Sequence, residues 1–330
     1  MIPILKYILW FLLGLVIIFV TYFFVGFANQ AKKMTWGINF SVKQTDFLKL
    51  ESKETYLAIL NDLKPKNLKI SVYWDLIEKE KGVYDFSELD WQMKEAEKRN
   101  VSVILAIGMK VPRWPECHLP TWARDLSKEQ QQAEILNILK EVVSRYKNSS
   151  ALSMWQVENE AFLKFGACPW IDEGFLKEEI SFVKINDPKH KVLVTDSGEL
   201  SFWFKVSQVG GDVVGVTTYR NVWQQQIRAY VSYLFPPVFY NRRADLVKNI
   251  FNQKVIGVEL QAEPWCTNSI MNSSLEEQEK TMNLAQFKKN VEFAKNTGMD
   301  TFYFWGAEWW YYMKTVYNNS EIWDEAKKLF

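Results

Sequence analysis

The chain has 330 residues, of which 48% are hydrophobic and 24% are charged, so it is long enough to bury one large core. Its 40 basic and 39 acidic residues nearly cancel, which excludes a strongly charged surface for nucleic acid and favours a neutral ligand. Aromatic residues make up 15% of the chain, and many of the 15 tryptophans fall in predicted loops, where flat apolar rings suit the stacking of sugars.

The amino-terminal residues 7–27 carry no charge and, at about 1.5 Å per residue, are long enough to cross a bilayer. The stretch is longer than the apolar region of a cleaved signal peptide, and residues 26–31 match a cleavage site poorly. We therefore predict a signal anchor and linker over residues 1–33 and a folded domain over residues 34–330. The few lysines on either side of the anchor barely decide its orientation.

Beyond the anchor, apolar β-rich runs alternate with helical patterns, and there are eight of each. Apolar stripes predict a clear helix over residues 127–147 and another that starts near Leu284 and ends before Gly298. The strands are apolar on both faces, as parallel strands covered by helices must be, so the pattern predicts a (β/α)8 barrel. The predicted strands are 35–40, 68–73, 102–107, 152–157, 191–195, 212–217, 255–260 and 301–305.

A doubly wound sheet is the competing fold. It would need a glycine-rich phosphate-binding turn after the first strand, which residues 37–41 do not supply. The segment 221–241 is long, rich in aromatic residues and weakly periodic. It fits a lid over the barrel mouth, a surface that rests on the membrane or an ordinary packed insertion.

Two predicted strands carry glutamates at the end where barrel enzymes hold their active sites. The fourth strand leads into Asn159 and Glu160, and the seventh carries Glu259, with Glu263 further along on the same side. Retaining glycoside hydrolysis needs two carboxyl groups about 5–5.5 Å apart, one as acid/base and one as nucleophile. Strands four and seven of a barrel can point such a pair across its mouth.

On these residues, the sequence resembles the clan of retaining (β/α)8 glycosidases that includes the family 5 cellulases, family 10 xylanases and family 42 β-galactosidases. Residues 155–160, Trp-Gln-Val-Glu-Asn-Glu, are very similar to the strand-four motif of families 10 and 42. The resemblance implies that Glu160 is the acid/base and that Asn159 binds the sugar 2-hydroxyl. It also implies that Tyr219 hydrogen-bonds the nucleophile and that Trp305 is the floor of the subsite next to the cleaved bond.

Either Glu259 or Glu263 can be the nucleophile that the resemblance requires. We prefer Glu259, because it directly follows the apolar run and a strand residue is held more rigidly than a loop residue. The other carboxylate is then expected to bind sugar hydroxyls or to tune the catalytic pair.

The loop after the third strand contributes further candidates. Arg113 either contacts the substrate or pairs with a nearby acid, and Trp114 either stiffens the loop or forms a sugar platform. Asn39, after the first strand, suits hydroxyl recognition, although a helix cap or a surface polar group is the more ordinary role. Glu116 has too little sequence context for an assignment.

Three cysteines are present, and two of them, Cys117 and Cys168, fall in loops on the same predicted rim. A disulfide between them is plausible in an oxidising compartment, and three unpaired thiols are the alternative. A zinc site with His118 has no supporting ligand spacing.

Together these observations predict a membrane-anchored retaining glycosidase that acts on a neutral glycan outside the cytoplasm, with no nucleic-acid partner. No metal or organic cofactor is needed for this chemistry. The alternatives are a barrel that binds glycans or a membrane partner without catalysis, and a transglycosylase that uses the same site. A metal-dependent hydrolase is disfavoured, because the chain has two histidines.

Overall fold

The computed structural model describes residues 2–28 and 30–330. Within these residues the strands are β1 (Thr35–Phe40), β2 (Asn67–Ser71), β3 (Ser102–Ile107), β4 (Leu152–Val157), β5 (Lys191–Asp196), β6 (Val213–Thr218), β7 (Asn221–Gln224), β8 (Ala229–Ser232), β9 (Lys254–Gln261) and β10 (Thr301–Trp305). Eight of them form a closed parallel barrel in the order β1-β10-β9-β6-β5-β4-β3-β2. The other two, β7 and β8, pair as an antiparallel hairpin.

The helix α1 (Ile2–Phe24) precedes the first strand, and the other helices lie between or after the strands and surround the barrel. These other helices are α2 (Val42–Phe47), α3 (Ser52–Ala58), α4 (Trp74–Ile77), α5 (Ser87–Lys98), α6 (Lys128–Tyr146), α7 (Glu173–Asn186), α8 (Phe204–Ser207), α9 (Pro237–Phe251), α10 (Leu275–Glu279), α11 (Leu284–Asn296), α12 (Ala307–Val316) and α13 (Glu321–Lys327). A π-helical turn, Ile59–Leu63, extends α3.

The predicted (β/α)8 barrel is confirmed. Strands β1, β3, β4 and β10 have the predicted bounds, whereas β2 ends at Ser71, before the predicted end at Tyr73, because the chain turns into α4 at that point. The two clear helices are also confirmed as α6 and α11. Ser127 begins α6 with a capping box, in which its side chain accepts from the Gln130 amide and the Gln130 side chain accepts from the Ser127 amide.

The barrel interior changes from apolar to polar along the strands. Near the amino ends it is filled by an apolar cluster that comprises Ile104, Leu193, Val213, Ile256, Val258 and Tyr303. Toward the carboxyl ends the buried side chains include polar and charged ones, namely Gln156, Asn159, Thr195, Thr217 and Glu259. The apolar part closes the barrel as a packed core, and the polar part faces the mouth, where barrel enzymes carry their sites.

The segment 221–241 forms the β7–β8 hairpin and the start of α9. Gln261, at the end of β9, fixes the base of the hairpin. Its Oε1 accepts from the amides of Arg220 and Asn221 at 2.8 and 3.0 Å, and its Nε2 donates to the Asn221 carbonyl at 2.6 Å. The hairpin is therefore tied to the barrel rim.

The amino-terminal helix α1 is long and apolar enough to cross a membrane over Leu5–Phe24, where its mean hydropathy is 2.4. It ends three residues before the apolar stretch ends in the sequence, and its last turns pack on α9, where Phe23 is buried. The rest of its described surface is largely exposed.

Candidate active site

Glu160 lies just beyond the carboxyl end of β4, on a tightly held backbone. Both Glu158 and Glu160 have positive φ angles, 55° and 41°, which are strained for residues other than glycine and cluster at functional sites. The Glu160 amide donates to Thr195 Oγ1 at 2.8 Å, and its Oε1 accepts from Thr217 Oγ1 at 3.0 Å. Strands β5 and β6 thus fix the position of this buried carboxyl group.

Glu259 is buried within β9, and both of its carboxyl oxygens are bound. Tyr219 donates its hydroxyl to Oε2 at 2.7 Å, and Lys69, from β2, donates to Oε1 at 3.2 Å. In the barrel register Glu259 is paired with Thr217, the residue that donates to Glu160. The two glutamates are therefore brought together at the barrel mouth.

Burial and mutual repulsion set the protonation of the carboxyl groups. The pKa of Glu160 is raised well above its usual 4.5, first by burial and then by the negative charges of Glu259 and Glu116. Burial lowers the pKa of Lys69, while the adjacent Glu259 partly offsets that effect. The arrangement favours a protonated Glu160 beside a Glu259 whose two oxygens are held by Lys69 and Tyr219, which suits an acid and a fixed nucleophile.

Asn159 is buried and holds a third carboxyl group in the site. Its Nδ2 donates to Glu116 Oε2 at 3.1 Å, and its Oδ1 accepts from Gln156 Nε2 at 3.1 Å. Burial, followed by the charge of Glu259, raises the pKa of Glu116 to about 8. A sugar hydroxyl bound at Asn159 would therefore either share the Asn159 Nδ2 group with Glu116 or replace the Glu116 carboxyl group as its hydrogen-bond partner.

Glu263 is engaged in a different contact from that of Glu259. Its carboxyl group pairs with the buried Arg113 guanidinium and also accepts from Gln44 Nε2 at 3.3 Å. The same guanidinium lies 3.8 Å from the centre of the Trp305 ring and covers one of its faces. Of the two candidate nucleophiles, Glu263 is therefore the one that forms a salt bridge with an arginine. That arginine, Arg113, covers Trp305, the residue that the resemblance implies as the floor of the subsite.

A row of aromatic rings leads from the glutamates to the surface, half-buried at Tyr219 and Trp265 and exposed at Phe165 and Trp114. The Tyr219 ring lies edge-on to Trp265 at 5.1 Å, Trp265 lies 6.1 Å from Phe165, and Phe165 lies 6.3 Å from Trp114. Trp114 is 69% exposed, so packing within the loop does not account for its ring. Such a row of rings is suited to stacking against successive sugars.

Asn39 does not lie with the rim residues. Its Nδ2 donates to the Val258 and Phe304 carbonyls at 2.9 and 3.0 Å inside the barrel, so its amide ties neighbouring strands together. The sequence left open whether Cys117 and Cys168 are bonded; in the structure they form a disulfide, which links the loop after β3 to the loop after β4. The third cysteine, Cys266, is free and buried.

Several residues of the site were not assigned from the sequence, among them Lys69 and Glu116. Lys69 is a lysine inside the apolar run Leu68-Lys69-Ile70, and this placement is the signal that could have identified it, because a buried lysine requires a partner. Glu116 gave no comparable signal, since its position depends on the fold of the disulfide-linked loop.

The comparisons with known proteins agree with the barrel fold. Residues 27–177 match the model of glycosyl hydrolase family 10, a range that includes Glu160 and ends before β9. A probable mannan endo-1,4-beta-mannosidase F of Aspergillus oryzae is 26% identical over 154 residues. That match covers 42% of this chain and 32% of the mannosidase, so the chain spans about a third of the length of this curated relative.

Among solved structures, xylanase 10B from Thermotoga petrophila superposes with a TM-score of 0.57 at 16% identity, covering 86% of this chain and 87% of the xylanase. The exo-beta-1,4-mannosidase Op5Man5 from an Opitutaceae bacterium superposes with a TM-score of 0.58 at 13% identity, covering 86% of this chain and 54% of the mannosidase. The comparisons confirm the resemblance to the (β/α)8 glycoside hydrolases of clan A, without resolving which family is closest.

Proposed function

We propose that this protein is a retaining glycoside hydrolase that cleaves O-glycosidic bonds of a neutral glycan. The observation that carries the proposal is the pairing of two buried glutamates from β4 and β9, with Thr217 between them and a raised pKa on Glu160. Such a pair supplies both groups that a double displacement requires.

In the first step Glu259 attacks the anomeric carbon, and the bond to the leaving oxygen breaks as protonated Glu160 gives that oxygen its proton. The sugar is then an ester of Glu259. In the second step ionised Glu160 takes a proton from water, whose oxygen attacks the anomeric carbon and releases Glu259. Both carboxyl groups return to their starting states, so no other reactant is consumed.

Lys69 and Tyr219 position the nucleophile in this mechanism. Each binds one oxygen of Glu259, so the side chain cannot rotate freely. Asn159 and Glu116 bind sugar hydroxyls next to the cleaved bond, and Trp305 with Arg113 borders the same subsite. The exposed Trp114 extends the sugar-binding surface outward.

The domain is held at a membrane by α1, which acts as a signal anchor, and it acts outside the cytoplasm. The length and hydropathy of α1 support the anchor. The disulfide supports an oxidising compartment, because such bonds persist mainly outside the cytosol.

Hydrolysis of nitrophenyl glycosides by the full-length chain tests the proposal. Because the relatives are named as a mannosidase and a xylanase, β-mannosides and β-xylosides are the first substrates to try. Proton NMR of the first product should show the anomeric configuration of the substrate. An inverted product would contradict the double displacement.

Variants of the two glutamates locate the chemistry. Glu160→Gln and Glu259→Gln should each abolish turnover with the fold intact by circular dichroism. Glu178→Gln, an exposed change on α7, is the matched control and should leave activity unchanged. Full activity in either catalytic variant would refute that residue's role.

A further inference from the structure

The last turns of α1 contact an aromatic part of the barrel rim. Phe202, between β5 and α8, lies 6.2 Å from both Phe19 and Phe23, measured between ring centres. Phe239, in the first turn of α9, lies 5.9 Å from Phe23 and 5.0 Å from Phe24. Because these rings follow the carboxyl ends of β5 and β6, α1 meets the barrel on the side of the mouth.

The depth of these contacts follows from the length of α1. Its apolar span of 20 residues, Leu5–Phe24, is about 30 Å long, which equals the thickness of the hydrocarbon core of a bilayer. With Phe24 at the edge of that core, Phe19 lies about 7.5 Å inside it. Phe202, which packs on Phe19, is then at the depth of the upper acyl chains.

The surface around this contact is apolar and open. Leu200 is 63% exposed, Phe202 is 47% exposed, and Leu234, beside the Phe235 ring that packs near Phe24, is 87% exposed. Large apolar side chains so exposed and so close together mark an interaction surface more often than a plain solvent surface.

Arg242 supplies a charge at the same place. Its guanidinium lies 5.2 Å from the centre of the Tyr22 ring on α1, and its Nε is buried without a hydrogen-bond partner among residues 2–28 and 30–330. A guanidinium at the level of the last turn of a membrane helix is well placed to bind a lipid phosphate.

We propose that the barrel itself rests on the bilayer through a docking face formed by Leu200, Phe202, Leu234 and Arg242. The inference rests on the proposed anchoring by α1 and goes beyond it, because it fixes how the domain is oriented. The sector of the mouth that follows β5 and β6 lies against the lipid, so the catalytic glutamates work close to the membrane surface. A glycan attached to or lying along that surface fits this orientation.

Fluorescence quenching in lipid vesicles tests the docking face. The full-length chain is reconstituted into phosphatidylethanolamine and phosphatidylglycerol vesicles after Leu200→Cys or Leu234→Cys is labelled with a nitrobenzoxadiazole dye. Ile185→Cys, at an apolar and 79% exposed position on α7, is the matched control. The unsubstituted chain, labelled in parallel, measures any reaction of the buried Cys266.

We expect lipids with spin labels on their acyl chains to quench the dyes at positions 200 and 234 and to leave the dye at 185 bright. Equal emission at all three positions, with the protein still resistant to extraction by alkaline carbonate, would overturn the docking face and leave the anchor standing. Extraction by carbonate would overturn the anchor and the docking face together. Glycoside hydrolysis is measured separately, so failure of the proposed enzymatic function can be distinguished from failure of the anchor or of the docking face.

Discussion

The buried contact between Lys69 and Glu259 gives a sharp test of how the barrel holds its proposed nucleophile. The charged atoms are 3.2 Å apart, and the two side chains are 1% and 4% exposed. At an effective dielectric constant of about 20, unit charges at this separation attract by roughly 5 kcal/mol, although the desolvation of both groups offsets much of that energy. Lys69→Met leaves the carboxylate buried without its cation, so we expect the free energy of unfolding to fall by about 3–5 kcal/mol.

The same substitution should slow catalysis. Without Lys69, Glu259 Oε1 loses its 3.2 Å hydrogen bond and the side chain is held by Tyr219 alone, so kcat is expected to fall by about 10- to 100-fold. Lys69→Gln separates charge from hydrogen bonding, because it keeps a donor and removes the charge. A similar loss of kcat in both variants would assign the effect to the charge.

The double variant Lys69→Met/Glu259→Gln is the control for stability. It leaves no unpaired buried charge, so in urea unfolding it should be more stable than Lys69→Met alone. The reasoning is refuted if kcat is unchanged in Lys69→Met, or if the loss of stability in the double variant equals the sum of the two single losses.

Three further predictions follow from the site. Because burial and Glu259 raise the pKa of Glu160, kcat/KM should remain high above pH 4.5 and decline only as the pH passes the raised value; a decline centred at 4.5 would contradict this assignment. Tyr219→Phe removes a 2.7 Å hydrogen bond to Glu259 and should lower kcat by about 10- to 100-fold, whereas an unchanged kcat would exclude the positioning role. Removing the disulfide in Cys117→Ser/Cys168→Ser should lower the free energy of unfolding by about 2–4 kcal/mol in urea and raise KM, since the loop carries Arg113; unchanged values of both would show that the crosslink does not support the site.

The barrel and its two glutamates could be predicted because both follow from local patterns. Apolar runs such as 102–107 and 152–157 coincide with β3 and β4, since parallel strands covered on both sides have little choice of residue. Once eight strands are placed, the rim positions of Glu160 and Glu259 follow from strand direction alone.

The partners of these glutamates depend on contacts distant in sequence and could not be predicted in the same way. Lys69 reaches Glu259 across 190 positions, and Arg113 reaches Glu263 across 150. The apolar run around Lys69 indicates that this lysine is buried, but nothing local shows which residue it contacts across the barrel. The contacts of Asn39 also depend on residues distant in sequence, because its side chain turns inward and donates to the main-chain carbonyls of Val258 and Phe304.

Trapping of the glycosyl-enzyme tests the central claim most directly. A 2-deoxy-2-fluoro glycoside of the accepted sugar, with a good leaving group, forms the ester and slows its hydrolysis, so the labelled protein can be digested and sequenced by tandem mass spectrometry. Glu259 and Glu263 share one tryptic peptide, residues 255–280, and fragmentation between them separates the two sites. We predict one fluorosugar on Glu259. A label on Glu263, or full inactivation without any labelled carboxylate, would contradict the proposed nucleophile.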